Sequence, residues 1–351
     1  MNIIKLLNYK NIGLELDKNG CFSKQLTEHF IDRGLFQLFV PDSIKEAPED
    51  KISGEKDFVK AVRTIEEYSK LDGNIGWILQ IGAGAGVFAA YLENRIAKKY
   101  FSQSHQVVAG SGFPAGVAKP VKGGFQVSGS WRFASGAYHA SIFTANCKID
   151  NSKDTIVSVI IPADRVTILP VWNGMGMRAT DSHTFVVEDV FIPDEDVFEI
   201  VPERLVVRSP LYRMPFDLFA RALFIPVFLG MADDYIEVFG EFIREKDDDY
   251  SDKRGLLLEE FTISLKYQQS KFYRSLDIVW DSVCSENMTE GLSISFSKLC
   301  IGIKEILTTN IEKCHKYTGM EGVRMDSRIN VIFRNFITAG AHYLLSPLLN
   351  K

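Results

Sequence analysis

The chain has 351 residues, 46% of them hydrophobic and 24% charged, an ordinary balance for a globular protein. A net charge of −5 leaves no basic footprint for nucleic acid, and no apolar run reaches the ~20 residues that a membrane-spanning helix needs. The first residues, MNIIKLLNYKNIGLELDKNG, scatter charges where a secretion signal would keep an apolar block. Five widely spaced cysteines (Cys21, Cys147, Cys284, Cys300, Cys314) read as reduced thiols of a cytoplasmic chain. No CxxC, HxH or HExxH spacing occurs, so no metal site is expected.

Residues 1–105 read as a helical domain. In DFVKAVRTIEEYSKL, Phe58, Val59, Val62, Ile65 and Tyr68 recur at three- and four-residue spacing, the mark of one buried stripe. IGWILQIGAGAGVFAAYL follows and is apolar nearly all round, as a helix inside a core is. Its IGAGAGV (81–87) is a poor dinucleotide fingerprint, because no strand precedes it and Val87 stands where the third glycine belongs. Small residues there let two helices pack closely.

Over residues 106–203 the period changes. GGFQVSGSWRF, SIFTANCKI, DTIVSVIIPA and SHTFVVEDVFIP alternate, or run in β-branched blocks between Gly, Pro, Asn and Asp, which predicts a β domain of about seven strands. Residues 204–351 return to helix. Phe261, Leu265, Phe272, Leu276, Val279 and Val283 make one stripe, and Leu292, Phe296, Leu299, Ile303 and Ile306 another, as in a bundle. The charged REKDDDYSDKRG (244–255) reads as a solvated turn between helices. Helices, then strands, then helices make an α+β chain and argue against a doubly wound sheet.

Two stretches carry candidate chemistry. With 124–135 as a strand, Phe125, Val127, Gly129, Trp131, Phe133 and Ser135 share one face. That face is either core or a flat aromatic wall ending in a hydroxyl, suited to a planar ring. In RINVIFRNFITAGAHYLLS (328–346), Ile332, Phe336, Ala339 and Tyr343 line one helical face, while Arg328, Asn335 and His342 lie along another. A histidine there can titrate near neutral pH and serve as a base.

Five blocks, in order, resemble the acyl-CoA dehydrogenase superfamily: GLFQLFVP (34–41), LDGNIGW (71–77), GSGFPAGVAKPVKGGFQVSGSWRFASGAYHA (110–140), GMGMRATDSHTFVVEDVFIP (174–193) and FRNFITAGAHYLLS (333–346). They are most similar to its branch of flavin-dependent monooxygenases, which take reduced flavin from a separate flavin reductase. The resemblance implies an N-terminal helical domain, a central β-barrel or sandwich and a C-terminal helical bundle, assembled as a homodimer or homotetramer. It sets Trp131, Phe133, Ser135 and Gly136 against the ring of FMN or FAD, with the hydroxyl near the reactive edge. It also implies flavin contacts from Arg178, Thr180 and Ser182, pocket positions for Trp77 and His139, and catalytic roles for Ser135 and His342.

Acyl-CoA dehydrogenases remove a proton with a glutamate that follows an RD motif. Here Arg334 and Asn335 are followed by no Asp or Glu, and His342 stands close to that glutamate's place. The resemblance therefore implies a monooxygenase hydroxylating a small aromatic or similar substrate, with an acyl-CoA dehydrogenase or a catalytically inactive relative as alternatives. The family's RxFG-like motif for the adenosine end of FAD is missing, although Arg254 lies nearby, and Asp181 replaces a family glycine.

Overall fold

The computed structural model describes residues 11–46, 52–152, 155–246 and 248–346. Half of the stretch read above for a secretion signal, 1–10, lies outside them.

Among the described residues five α-helices precede the strands: α1 (Ile12–Asn19), α2 (Lys24–Arg33), α3 (Phe58–Ser69), α4 (Gly73–Gly84) and α5 (Asn94–Phe101). Carboxylate caps start two of them, Asp57 accepting the Lys60 N–H and Asp72 the Asn74 N–H. After the strands come α6 (Pro210–Arg213), α7 (Phe216–Arg244), α8 (Ser251–Cys284), α9 (Glu290–His315) and α10 (Arg328–Gly340). The early and late helices share one core, in which Phe30, Phe36 and Phe58 pack with Phe228, Phe239, Phe272 and Phe336. Gly230 of α7 makes this approach possible, since a β-carbon there would sit 2.5 Å from the Glu66 carbonyl oxygen on α3.

The stripes behave unequally. Phe58, Val62 and Ile65 are buried, and so is the whole α8 stripe from Phe261 to Val283. Of the α9 stripe Phe296 and Ile303 are buried, while Leu292, Leu299 and Ile306 line an open groove against α8. The membrane expectation also needs correction. Gly73–Tyr91 is long and apolar enough to cross a bilayer, yet 78% of it is buried inside the protein. Its glycines serve close packing, Gly82 lying against Phe36 and Gly86 against Val40.

Among the described residues seven strands form a single mixed sheet: β1 (Val108–Val121), β2 (Gly124–Ala134), β3 (Ile142–Ile149), β4 (Ile156–Pro162), β5 (Thr167–Leu169), β6 (His183–Pro193) and β7 (Val197–Phe198). Their order is β5-β6-β2-β1-β3-β4-β7, with β1 and β3 parallel and every other pair antiparallel. In a flat sheet β3 and β6, three places apart, would be roughly 14 Å from each other. Instead the rings of Phe143 and Phe185 meet at 4.8 Å, so the sheet curls around its own core.

The shared face expected along β2 does not persist to its end. Register against β6 slips between Trp131 and Ala134, and Phe133 takes a positive φ of 64°. One residue outside the extended region resets the alternation. Trp131, before the break, is fully buried like Val127, while Phe133 is 60% exposed.

Candidate active site

Trp131 is a core residue, which corrects its expected place on a flavin wall. Its ring stacks on Phe185 at 5.0 Å, and its indole N–H donates to the Asn146 carbonyl at 2.9 Å. Gly116 and Gly129 cover it so closely that a β-carbon on either would fall 2.2 or 2.6 Å from the ring. Phe133 is what remains of the wall. It stands edge-on to Trp172 at 6.3 Å, and a phenylalanine held at positive φ is a strained residue of the kind that clusters at binding sites.

Beyond Phe133 the chain turns. Gly136 supplies the left-handed conformation (φ 78°), and its N–H donates to the Thr180 carbonyl at 2.8 Å. This bond sets the turn after β2 against the turn before β6. Ser135 Oγ accepts the Trp77 indole N–H at 3.0 Å and lies 2.8 Å from Ser182 Oγ. Ser182 Oγ lies 2.7 Å from Thr180 Oγ1, which donates to the Met177 carbonyl at 2.8 Å. Trp77, Ser135, Thr180 and Ser182, scattered over a hundred residues of sequence, are thus one buried cluster.

His342 reaches the same place from the far end of the chain. Helix α10 stops at Gly340, so His342 lies past its end rather than on the expected helical face. Its ring sits 5.8 Å from Trp77 and 4.3 Å from Phe224, a neighbour that sequence reasoning missed. Burial pushes its pKa down to about 4, so the imidazole is neutral at pH 7 instead of titrating near it. Its Nδ1 is buried and has no hydrogen-bond partner among the described residues.

A strained aromatic left open, a hydroxyl beside it and an orphaned imidazole nitrogen close by fit a planar heteroaromatic group such as a flavin ring. Two expected contacts point elsewhere. Arg178 donates from Nε to the Asp17 carbonyl at 3.0 Å and is held by α1. His139 does not line the pocket either: its Nδ1 lies 3.0 Å from Thr27 Oγ1 and its Nε2 3.2 Å from Asp181 Oδ2. It latches α2 to the Thr180–Ser182 turn, and Asp181, fully buried, is the acidic half of that latch.

The turn 174–182 is held by residues that no motif pointed to as a group. Asn335 Oδ1 accepts the Met177 N–H at 2.6 Å, and Asn74 Oδ1 accepts the Ala179 N–H at 3.0 Å. Asn335 Nδ2 also donates to Asp72 Oδ2 at 3.3 Å, while Asp72 Oδ1 takes both the N–H and Nδ2 of Asn74. Burial pushes the Asp72 carboxyl up. The available signal was polar residues set in or against apolar helices, Asp72 capping α4, Asn74 in its first turn and Asn335 within α10. Asp17, which pairs with Arg334, gave none.

Gly176 lets this turn touch α10. A β-carbon there would lie 2.2 Å from the backbone C and O of Arg334, neither of which can swing aside. Gly176→Ala is expected to cost about 2 kcal/mol and to weaken flavin binding together with stability. Thermal unfolding and flavin titration of the same variant check it; an unchanged melting temperature would show that the turn does not need this contact.

No family profile matches the chain. Among curated relatives, it is 24% identical over 324 residues to indole-3-acetate monooxygenase of Acinetobacter baumannii, covering 88% of this chain and 80% of that one. It is 28% identical over 227 residues to the oxygenase subunit HsaA, a flavin-dependent monooxygenase of Rhodococcus jostii, covering 61% of this chain and 58% of that one. In structure it matches 3-HSA hydroxylase from Rhodococcus sp. RHA1 with a TM-score of 0.86, at 19% identity, over 97% of this chain and 91% of the other. XiaF from Streptomyces sp., solved with FADH2 and glycerol, matches with a TM-score of 0.83 at 17% identity, over 98% and 89%. The chain has the acyl-CoA dehydrogenase-like fold, and its relatives in sequence include oxygenase subunits of flavin-dependent monooxygenases.

Proposed function

We propose that this protein is the oxygenase subunit of a two-component monooxygenase that receives reduced flavin from a partner reductase and hydroxylates a small aromatic substrate. The observation that carries this is the pocket end of the chain. His342 brings a neutral imidazole, its Nδ1 without a hydrogen-bond partner among the described residues, to Trp77, which bonds Ser135, and no Asp or Glu stands between His342 and Asn335, which is itself committed to the turn 174–182. An acyl-CoA dehydrogenase needs a carboxylate base there. The relatives support the substrate class, since two are an indole-3-acetate monooxygenase and an FADH2-dependent resorcinol hydroxylase of Rhizobium.

Reduced flavin, when bound, supplies two electrons and activates dioxygen, so that one oxygen atom enters the substrate and the other leaves as water. Phe133 offers the ring an apolar face, and Ser135 fixes its orientation. Trp77 and Phe224 keep water from the pocket floor. The neutral His342 accepts a hydrogen bond from a substrate hydroxyl and takes up its proton as charge develops.

His342→Ala is expected to lower product formation by about ten- to a hundredfold, while flavin affinity stays within about threefold. Anaerobic titration with FMN and FAD, followed by single-turnover oxygenation, reads both. Undiminished product would remove His342 from the reaction. Reduction of bound flavin by an acyl thioester would move the protein to the dehydrogenases, and absence of any flavin binding would mark it as an inactive relative.

A further inference from the structure

The hydroxyls beside Phe133 can be assigned proton by proton. Three of them, on Ser135, Ser182 and Thr180, carry three protons between them. Three short contacts need one proton each: Ser135 to Ser182 at 2.8 Å, Ser182 to Thr180 at 2.7 Å and Thr180 to the Met177 carbonyl at 2.8 Å. A contact without a proton would set lone pair against lone pair in a site where all three residues are buried.

The carbonyl can only accept, so the Thr180 proton goes to it. Thr180 Oγ1 must then accept from Ser182, and Ser182 must accept from Ser135. At the other end the Trp77 indole N–H, which can only donate, points at Ser135 Oγ from 3.0 Å. Both ends impose the same direction.

Ser135 has therefore given away its proton and received one from Trp77, and a single lone pair is left for a ligand. The three backbone donors at and just after Ser135 are already engaged. The Ser135 N–H is taken by the Phe133 carbonyl, the Gly136 N–H by Thr180 and the Ala137 N–H by Asp181. Reduced flavin carries a hydrogen on N5 and donates there, whereas oxidised flavin has a bare lone pair at the same atom.

We infer that the one-way chain Trp77–Ser135–Ser182–Thr180–Met177 makes Ser135 an obligate acceptor and thereby sets a preference of this site for reduced over oxidised flavin. This rests on the monooxygenase reading above and deepens it. Thr180 and Ser182 are positioning residues in this account, acting on the ligand through Ser135. The chain accepts flavin in the form that a reductase delivers and disfavours it in the form left after turnover.

The test is the ratio of dissociation constants, oxidised over reduced, for FMN and FAD with the full chain under anaerobic conditions. Wild type is expected to bind the reduced form more tightly. Ser182→Ala removes the acceptor of the Ser135 proton. Thr180→Val removes the acceptor of the Ser182 proton, which then turns to Ser135 and frees the proton there. Each substitution should lower the ratio by about tenfold, mainly through tighter binding of the oxidised form.

Trp77→Phe removes a donor without altering the direction, so its ratio should stay within about threefold of wild type even as both affinities fall. The two hydroxyl variants are independent, and circular dichroism identifies one that does not fold. Unchanged ratios in the folded hydroxyl variants, or an equal collapse in Trp77→Phe, would overturn the inference and leave the flavin reading standing. A wild-type protein that binds neither redox form would remove both.

Discussion

Asp17→Ala is expected to destabilise the protein by about 3–5 kcal/mol, because it strands a buried guanidinium. Arg334 spends its donors inside the fold: Nη1 and Nη2 meet the two Asp17 oxygens at 2.9 and 2.8 Å, and Nε donates to Asn330 Oδ1 at 2.7 Å. Nη1 also holds the Met175 carbonyl at 2.5 Å, within the turn that carries Thr180 and Ser182. With Asp17 gone, water cannot replace the carboxylate at a residue only 5% exposed. Removing both charges as Asp17→Leu with Arg334→Met should recover part of the loss, since no buried charge is then left unpaired, although the Met175 carbonyl and Asn330 Oδ1 lose their donor. Urea unfolding of the single and double variants measures this. A single-variant loss below about 1 kcal/mol would mean that the pair behaves as a surface ion pair.

Asn335→Asp should be nearly as damaging, and its damage should depend on pH. The new carboxylate would stand 3.3 Å from Asp72 Oδ2, where an amide now donates. Two buried carboxylates at that separation cannot both ionise without a cost of about 3 kcal/mol. Burial already pushes Asp72 up, and the second charge would raise the pair further. Such carboxyls hold a proton more tightly in the folded state than in the unfolded one, so stability falls as pH rises above the unfolded carboxylate value of about 4. The variant should accordingly be weaker at pH 8 than at pH 5. Exchanging the pair, as Asp72→Asn with Asn335→Asp, restores one amide and one carboxylate and should return most of the stability. Equal stability of the single variant at both pH values would show that the site is open to water.

Much of this was legible in the residues. Periodicity located α3 and α8 because a single face of each is buried, and the change to two-residue alternation located the sheet. The α9 stripe was less informative, since a helix can repeat Leu292, Leu299 and Ile306 along an open groove as readily as along a core. Within β2 the pattern misled for a local reason. Alternation assumes an extended backbone: it holds as far as Trp131, buried on the same face as Val127, and a positive φ at Phe133 with a register slip turns Phe133 outward. His139 and Arg178 sit beside the expected motifs, yet their partners, Thr27, Asp181 and Asp17, belong to contacts that no spacing announces. The resemblance placed Ser135 and His342 in one region, but the low pKa of His342 comes from Phe224 and Trp77 packing around it, which is tertiary information.

The clamp on the turn has a consequence for how the protein is made. Asp17 and Arg334 are 317 positions apart, and Met177 and Asn335 are 158 apart. On a ribosome the sheet, with Phe133 and Ser135 already in place, emerges well before the segment that locks the neighbouring turn. Closing such long loops is slow and entropically opposed. Arg334 and Asn335 are made after every other residue of the turn and its hydroxyl chain, so the clamp can close only once the sheet and the turn have both been synthesised.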